Sequence, residues 1–290
     1  MPLGEAEVRL LVGREKDFVS TPPEAGRPGV GSPCFGLCRG IRDEDGAWSL
    51  AGMVDWVSAQ EVRAGVSMSV FGIVRVERPC QVHVRVIAPD RRAADLTPPI
   101  QLHPSDGPMR KLSCPLILSR ENLRQDGTYA LWLMADGQPI NAHILAVGMP
   151  PQKEYAFALP AALMGPRERH ISCFLPCVDA IQDSSGAWTL ERVFDSVNTD
   201  RFPFAPPAAH LFLRGFFART TTCQVRLTGP HRRPFAESGS WTGAGYATHA
   251  LQFAGLAFPE PGIWLFDLLC DGEVGATFPV EVRGRSLAVS

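Results

Sequence analysis

The residues with the clearest capacity for chemistry are two cysteine pairs that share one spacing. Cys34 and Cys38 lie four positions apart, and so do Cys173 and Cys177. Cysteine spacings of about two to four residues are typical of structural zinc sites. On a β-strand, however, positions four apart are separated by about 13 Å, which is too far for two thiolates to share a zinc ion or to form a disulfide. We predict that all four cysteines are small apolar core residues. A four-thiolate site joining the two pairs, or a disulfide between the pairs, remains open.

Other residue types that support catalysis lack the necessary spacing. In Gly239-Ser240-Trp241-Thr242-Gly243 the serine does not occupy the central position of a nucleophile elbow. The seven histidines include no pair at a metal-binding spacing such as i, i+4. The sequence therefore predicts no catalytic residue, no bound metal and no cofactor.

The cysteine pairs belong to a longer pattern that occurs twice. An Asp-x-x-Gly-Ala-Trp-x-Leu motif ends at Leu50 in the first copy and at Leu190 in the second. Three further elements recur: Asp55-x-Val57 with Asp195-x-Val197, Cys80-Gln-Val82 with Cys223-Gln-Val225, and Asp136-Gly137 with Asp271-Gly272. Two long copies indicate a domain duplication, because solenoid repeats have periods of about 20–50 residues.

Within each copy the hydrophobic pattern has a period of two. Cys80, Val82, Val84 and Val86 alternate with polar residues, as in a half-buried antiparallel strand. Short strands with turns every 8–12 residues or so predict an all-β fold of two tandem antiparallel β-sandwich domains, of immunoglobulin-like or Greek-key type, related by internal duplication. The predicted divisions are an N-terminal strand and Pro/Gly-rich linker (1–30), repeat 1 (31–150), a linker (151–169) and repeat 2 (170–290).

The pattern resembles a bacterial family of small β-sandwich proteins of unknown function. The second copy carries the resemblance through Val193-Phe194-Asp195, Phe202-Pro203-Phe204 and Phe258-Pro259-Glu260-Pro261-Gly262. The first copy departs from it, with Val54-Asp55-Trp56 and Gln60-Glu61-Val62 at the corresponding places. The resemblance implies a fold and a bacterial setting, and it implies no catalytic residues.

Charge and hydropathy limit the environment. The net charge of −2 offers no electrostatic attraction to nucleic acid or to a membrane surface. The sequence contains no apolar stretch long enough for a transmembrane helix, and its first residues do not resemble a secretory signal. A cytoplasmic protein with reduced cysteines is expected.

One aromatic segment is the best candidate for an interaction surface. Prolines between Asp200 and His210 hold the first half of this segment away from a sheet interior. The residues predicted to contact another protein are Phe202, Phe204, Phe212 and Phe216. Packing of a Pro-rich edge against the sandwich is the alternative explanation.

The sequence thus predicts a non-enzymatic protein-binding or scaffolding protein. Its expected partner is another protein or a second copy of itself, with no nucleic acid and no membrane. The N-terminal strand could reach that partner by strand addition. One alternative is a carbohydrate- or small-ligand-binding module in the inter-domain cleft, which requires an exposed Trp48, Trp188 or Trp241. The other is an enzyme, which requires titratable residues that converge between the repeats.

Overall fold

The computed structural model describes residues 9–10, 30–44, 46–106, 109–148, 163, 168–206 and 208–284. Most of the two predicted linkers, at 1–30 and 151–169, lies outside these described residues. The described chain is nearly all β, as predicted, with one short α-helix.

The N-terminal half, residues 30–148, contains ten strands. They are β2 (Val30–Glu44), β3 (Ala47–Met53), β4 (Trp56–Val57), β5 (Val66–Val76), β6 (Cys80–Ile87), β7 (Ala93–Asp95), β8 (Ile100–Leu102), β9 (Met109–Leu118), β10 (Gly127–Ala135) and β11 (Gln138–Val147). A short strand β1 (Arg9–Leu10) precedes them, and a 3-10 turn spans Pro104–Asp106.

The C-terminal half, residues 168–284, contains nine strands. They are β12 (Arg169–Cys177), β13 (Asp179–Gln182), β14 (Trp188–Val193), β15 (Ser196–Thr199), β16 (His210–Thr228), β17 (Pro234–Glu237), β18 (Trp241–Gln252), β19 (Gly262–Cys270) and β20 (Glu273–Gly284).

The helix α1 (Ala59–Ala64) follows β4 and was not predicted from the sequence. Ser58 caps its N-terminus by accepting from the Glu61 amide, and the Glu61 side chain in turn accepts from the Ser58 amide. This capping box satisfies two amides that the first helical turn leaves without partners. In the sequence repeat, the helix occupies the position that corresponds to Phe202-Pro203-Phe204 of the second half.

Strand pairings recur in the same order in the two halves. In the N-terminal half, β2 pairs with β5, β5 with β9, β6 with β10 and β10 with β11. In the C-terminal half, β12 pairs with β16, β16 with β18 and with β19, and β19 with β20. Each half also contains one short parallel pair, β4 with β11 and β15 with β20, which the prediction of purely antiparallel sheets did not include.

The long strand β16 corresponds to two separate strands of the N-terminal half. Its first residues pair with β12 and β18, and its last residues, from Cys223 to Thr228, pair with β19. The corresponding stretch of the N-terminal half is divided into β5 and β6 around Pro79. Proline lacks the amide hydrogen that a sheet ladder requires, so it separates the two strands.

The sheets are open and pack against each other in a sandwich-like arrangement. One buried cluster in the N-terminal half takes Phe35 and Val74 from β2 and β5, and Val84 and Leu133 from β6 and β10. These strands belong to different sheets. The alternating exposure of β6, with every second residue buried, agrees with the predicted period of two.

The N-terminal strand β1 pairs with β17 of the same chain. This pairing adds a strand to the C-terminal half, so strand addition at this edge occurs within the chain. Nothing in the described residues connects β1 to a partner protein.

Two glycines, Gly127 and Gly262, stand nine residues before Asp136 and Asp271 of the repeated Asp-Gly turns, and the structure explains why both are glycine. Gly127 and Gly262, which begin β10 and β19, both have a φ of +137°. A Cβ atom at Gly127 would lie 2.9 Å from Pro89 Cγ, and one at Gly262 would lie 2.6 Å from Pro230 Cγ. Both the backbone conformation and the close proline exclude a side chain at these positions.

We expect Gly127→Ala and Gly262→Ala each to lower the free energy of unfolding by about 2 kcal/mol or more, because alanine adds backbone strain and a collision with proline. Urea denaturation of the full chain measures this. Gly40→Ala is the matched control, since a Cβ there meets nothing within 4 Å. Equal stability of all three variants would contradict this explanation of the repeated glycines.

Candidate functional site

The repeated Gly-Ala-Trp-x-Leu strands lie at the junction between the halves, where they pair with each other. Strands β3 and β14 run antiparallel, and Leu50 faces Leu190, its counterpart in the motif. On either side of this pair, Trp48 faces Val193 and Met53 faces Trp188. Each contact is therefore repeated with the roles of the halves exchanged.

Two hydrogen bonds between β3 and β14 are likewise repeated with the halves exchanged. The Ser49 hydroxyl accepts from the Arg192 amide at 3.1 Å, and the Thr189 hydroxyl accepts from the Gly52 amide at 3.2 Å. Ser49 and Thr189 occupy the same position of the motif. Such reciprocal contacts are the mark of an isologous interface, which has a local two-fold axis. Here the axis passes beside Leu50 and Leu190.

The first cysteines of the two pairs also meet at this junction. Cys34 on β2 faces Cys173 on β12, and the two form a disulfide. The prediction that all four motif cysteines lie in the core is confirmed, because each is fully buried. The expectation that they are only apolar core residues is wrong for Cys34 and Cys173, which form the bridge that the sequence left open.

The second cysteines of the pairs remain thiols. Burial raises the pKa of Cys38 to about 12 and also raises the pKa of Cys177. Among the described residues, no group of three or more His, Cys, Asp or Glu side chains is placed to hold a metal ion. The four-thiolate alternative has no support in this arrangement.

Charged side chains cross the junction in two places. Asp55, which follows β3, binds Arg214 on β16 at 2.8 Å and accepts a hydrogen bond from the Tyr246 hydroxyl at 3.1 Å. Asp195, its counterpart after β14, binds Lys111 on β9 at 3.2 Å. Each aspartate of the repeated Asp-x-Val triplet thus pairs with a cation of the other half.

Two buried histidines complete a polar group that we call the junction cluster: Asp55, His143, His170, Arg214 and Tyr246. His143 Nε2 donates to the Val54 carbonyl at 2.8 Å, and it lies 3.7 Å from Asp55 Oδ1. His170 Nε2 donates to the Ala142 carbonyl at 2.9 Å. Sequence reasoning missed this cluster, because its members come from five separate segments with no common spacing.

Burial controls the protonation of both histidines. It lowers the pKa of His143 to about 4, with the Asp55 carboxylate opposing the effect and the Arg214 guanidinium adding to it. Burial likewise lowers the pKa of His170 to about 4. Both rings are therefore neutral near pH 7.

The junction cluster has the residue types of an acid–base site, but its geometry is that of a structural contact between the two halves. The Asp55 carboxylate contacts Arg214 and Tyr246, and both histidines are buried and bonded to backbone carbonyls. A catalytic base must reach a proton of the substrate within about 3 Å. Closed packing of this kind holds the two halves together.

An open apolar cleft lies elsewhere, between the two sheets of the N-terminal half. Its cavity volume is small, about 30 Å³, and its lining includes Phe35, Val84, Ile100, Cys114 and Leu133. None of the lining residues belongs to the junction cluster. Strand β9 forms one side of it, and within the described residues β9 pairs only with β5.

One glycine lines this cleft where the other half has a leucine. Gly72 faces Phe35 across β5 and β2, as Leu213 faces Phe174 across β16 and β12 in the other half. Leu213 is buried, whereas Gly72 leaves room for a Cβ at ordinary contact distances of 3.5 Å from Phe35 and 3.6 Å from Leu133. The two halves thus differ in side-chain size at this position.

The aromatic residues predicted as an interaction surface divide into two groups. Phe212 and Phe216 are buried and offer no surface to a partner. Phe202 and Phe204 are half-buried and pack on the C-terminal core, with Phe204 stacked on Phe258 at 6.5 Å between ring centroids. The prolines keep Phe202 and Phe204 at the edge, as expected, while β16 carries the later pair inward.

The tryptophans considered for carbohydrate binding are buried or half-buried, whereas that hypothesis requires an exposed tryptophan. Trp48 and Trp188 are buried in the junction core. Trp241 is half-buried and lies against His249, with ring centroids 5.9 Å apart. Burial of the two motif tryptophans removes the stacking platform that they would have offered.

Replacing Arg214 with methionine should lower the free energy of unfolding by about 3 kcal/mol, because Asp55 would keep its charge at the junction without its cation. Lys111→Met is the matched control. Lys111 is 15% exposed whereas Arg214 is 1% exposed, so the loss there should be nearer 1 kcal/mol. Equal losses of unfolding free energy in urea denaturation would contradict the larger contribution of the junction cluster to stability.

The two histidines should make the fold sensitive to acid. Their folded pKa of about 4 lies below the ordinary value of 6.5, so the unfolded chain binds more protons between these pH values. Stability should therefore fall as the pH drops from about 6.5 to about 4 and level off below that, as far as these groups are concerned. Urea denaturation at pH 7 and pH 5 measures the slope. His143→Gln should reduce the slope, and His231→Gln, an exposed position, should leave it unchanged.

Comparisons with known proteins leave the function open. Residues 172–283 match the model of a family of unknown function (DUF6941), which covers most of the C-terminal half. A comparison with curated proteins gave no match. Among solved structures, red sea bream transglutaminase shares 12% identity at a TM-score of 0.22, with 78% of this chain and 30% of that chain covered. Dimeric latent PorU from Porphyromonas gingivalis shares 9% identity at a TM-score of 0.24, with 88% and 20% covered. The chain thus spans less than a third of either protein, and scores this low support no inference.

Proposed function

We propose that the protein is a non-enzymatic binding scaffold built from two β-sandwich repeats related by internal duplication. The recurring strand pairings and the reciprocal contacts of Leu50 with Leu190 and Trp48 with Val193 support a duplication. The ion pairs and the disulfide at the junction join the repeats into one body. A stiff body of this kind suits a protein that presents surfaces to a partner.

The observation that carries this proposal is the open cleft beside the edge strand β9. An unpaired sheet edge presents backbone donors and acceptors to a further strand. Ile100 at the cleft is 41% exposed, and Cys114 on β9 lines the cleft and is half-buried. The proposed occupant is an extended apolar segment of another protein, with its backbone along β9 and one small apolar side chain against Ile100 and Cys114.

The setting proposed with this function is a bacterial cytoplasm. No helix in the described part of the chain is long and apolar enough to cross a membrane. The disulfide between Cys34 and Cys173 departs from the expectation that all cysteines are reduced and counts against a cytoplasmic setting, because cytoplasmic thiols are normally kept reduced. Its state in the cell therefore discriminates between a reducing and an oxidising environment.

The proposal is tested with peptides displayed on phage and selected on the full-length protein. We expect the selected peptides to be extended and apolar. Ile100→Lys and Cys114→Lys, which add a charge at the cleft, should weaken their binding at least about tenfold, which corresponds to about 1.4 kcal/mol. Ile181→Lys on β13 is the control, since Ile181 is similarly exposed at 50% and lies away from the cleft.

Two outcomes would contradict the proposal. The first is a selection that yields no binding peptide at all. The second is a set of peptides that bind the Ile100→Lys and Cys114→Lys variants as tightly as the unchanged protein, because these peptides would then occupy another surface.

A further inference from the structure

A second cysteine pair lies outside the junction, in the C-terminal half. Cys223 on β16 faces Cys270 on β19, and both are fully buried as thiols. The neighbouring pair is hydrogen-bonded, since the Asp271 amide donates to the Thr222 carbonyl at 2.7 Å. Cys223 and Cys270 therefore occupy a non-hydrogen-bonded position, where facing Cα atoms are only about 4.5 Å apart. That separation lies within the range that a disulfide spans.

Core packing alone does not require cysteines at this place. In the N-terminal half, the Asp136 amide donates to the Gln81 carbonyl as Asp271 does to Thr222. The position equivalent to the cysteine pair is therefore Val82 facing Ala135. Two ordinary apolar residues fill the space there, and the C-terminal half has two thiols instead.

The surroundings of Cys270 also leave its sulfur room. A Cβ atom on Gly275 would lie 2.9 Å from Cys270 Sγ, so only glycine at this position leaves the sulfur space. The guanidinium of Arg169 lies beside Cys270 and donates to its carbonyl at 3.2 Å. The adjoining turn at Asp271 and Gly272 is exposed, so opening of the hairpin end alone brings a small oxidant to Cys270.

We propose that Cys223 and Cys270 form a redox-active dithiol that a hydroperoxide converts into a cross-strand disulfide. The Cys270 thiolate attacks one peroxide oxygen, which forms an S–O bond, breaks the O–O bond and releases water after protonation. The Cys223 sulfur then attacks the sulfenic acid, which forms the S–S bond and releases a second water. Two thiols and one hydrogen peroxide thus give one disulfide and two waters.

The assignment of Cys270 as the first nucleophile has electrostatic support. The pKa of Cys270 is lowered, first because the Cys223 thiol donates a hydrogen bond to its thiolate and also because Arg169 is near. The pKa of Cys223 is raised by the same hydrogen bond and by burial. Because the thiolate is the nucleophile towards the peroxide, this difference assigns the first step to Cys270.

The test exposes the folded full-length protein to hydrogen peroxide, alkylates the remaining thiols and identifies linked peptides by mass spectrometry. We expect a link between Cys223 and Cys270 to form in most chains while Cys80 stays free. Cys80 is the internal control, since it is a buried thiol facing Leu102 on β8. Cys223→Val and Cys270→Ala, which restore the residues of the N-terminal half, should each abolish the link.

Two results would overturn the proposal. One is that Cys223 and Cys270 are alkylated to the same extent before and after peroxide. The other is that either thiol links to a different cysteine or is oxidised no faster than Cys80. Circular dichroism of the two variants establishes that a missing link reflects the lost thiol and not a lost fold.

Discussion

The structure depends on the pairing of one sequence motif with its own copy. Leu50 and Leu190 face each other across antiparallel strands, and the flanking pairs and hydrogen bonds between these strands occur twice with the halves exchanged. A residue at such an interface must suit both its own sandwich and the opposite one. A change in one of the two motifs therefore alters the surroundings of the other.

The same constraint assigns the polar residues of the junction to stability and leaves binding to other parts of the surface. Asp55 and Asp195 neutralise cations of the opposite half, and these pairs are mostly withdrawn from solvent. Isolated charges in such a place are costly, so the pairs favour one relative placement of the halves. The halves differ away from the junction, as Gly72 on β5 and Leu213 on β16 show. A binding site at such a position can arise without disturbing the junction.

Much of the fold could be predicted from sequence, because strands and hairpins are local features. The alternation after Cys80 and the Asp-Gly turns at Asp136 and Asp271 occur as expected. The pairing of β3 with β14 could not be predicted, since the same alternation suits a hairpin within one repeat. One apparent match was misleading: hydrogen bonds to the two Asp-Gly turns make Val82, not Cys80, the equivalent of Cys223.

The candidate sites were harder to predict, because they depend on which distant segments meet. The junction cluster has no sequence signature, and Phe212 and Phe216 look alike in sequence whether a strand carries them inward or outward. The helix after β4 did have a signal in the spacing of Ser58 and Glu61, which is that of a capping box.

Disulfide mapping tests the self-pairing of the motif most directly. The full-length protein is purified without reductant, its free thiols are alkylated, and its peptides are identified by mass spectrometry. Self-pairing of the motif predicts that peptides containing Cys34 and Cys173 are joined, while Cys38 and Cys177, which are buried in the fold, carry the alkylating label once the chain is unfolded in its presence. A link from Cys34 or Cys173 to any other cysteine would contradict it, because these two residues would then not face each other at the junction.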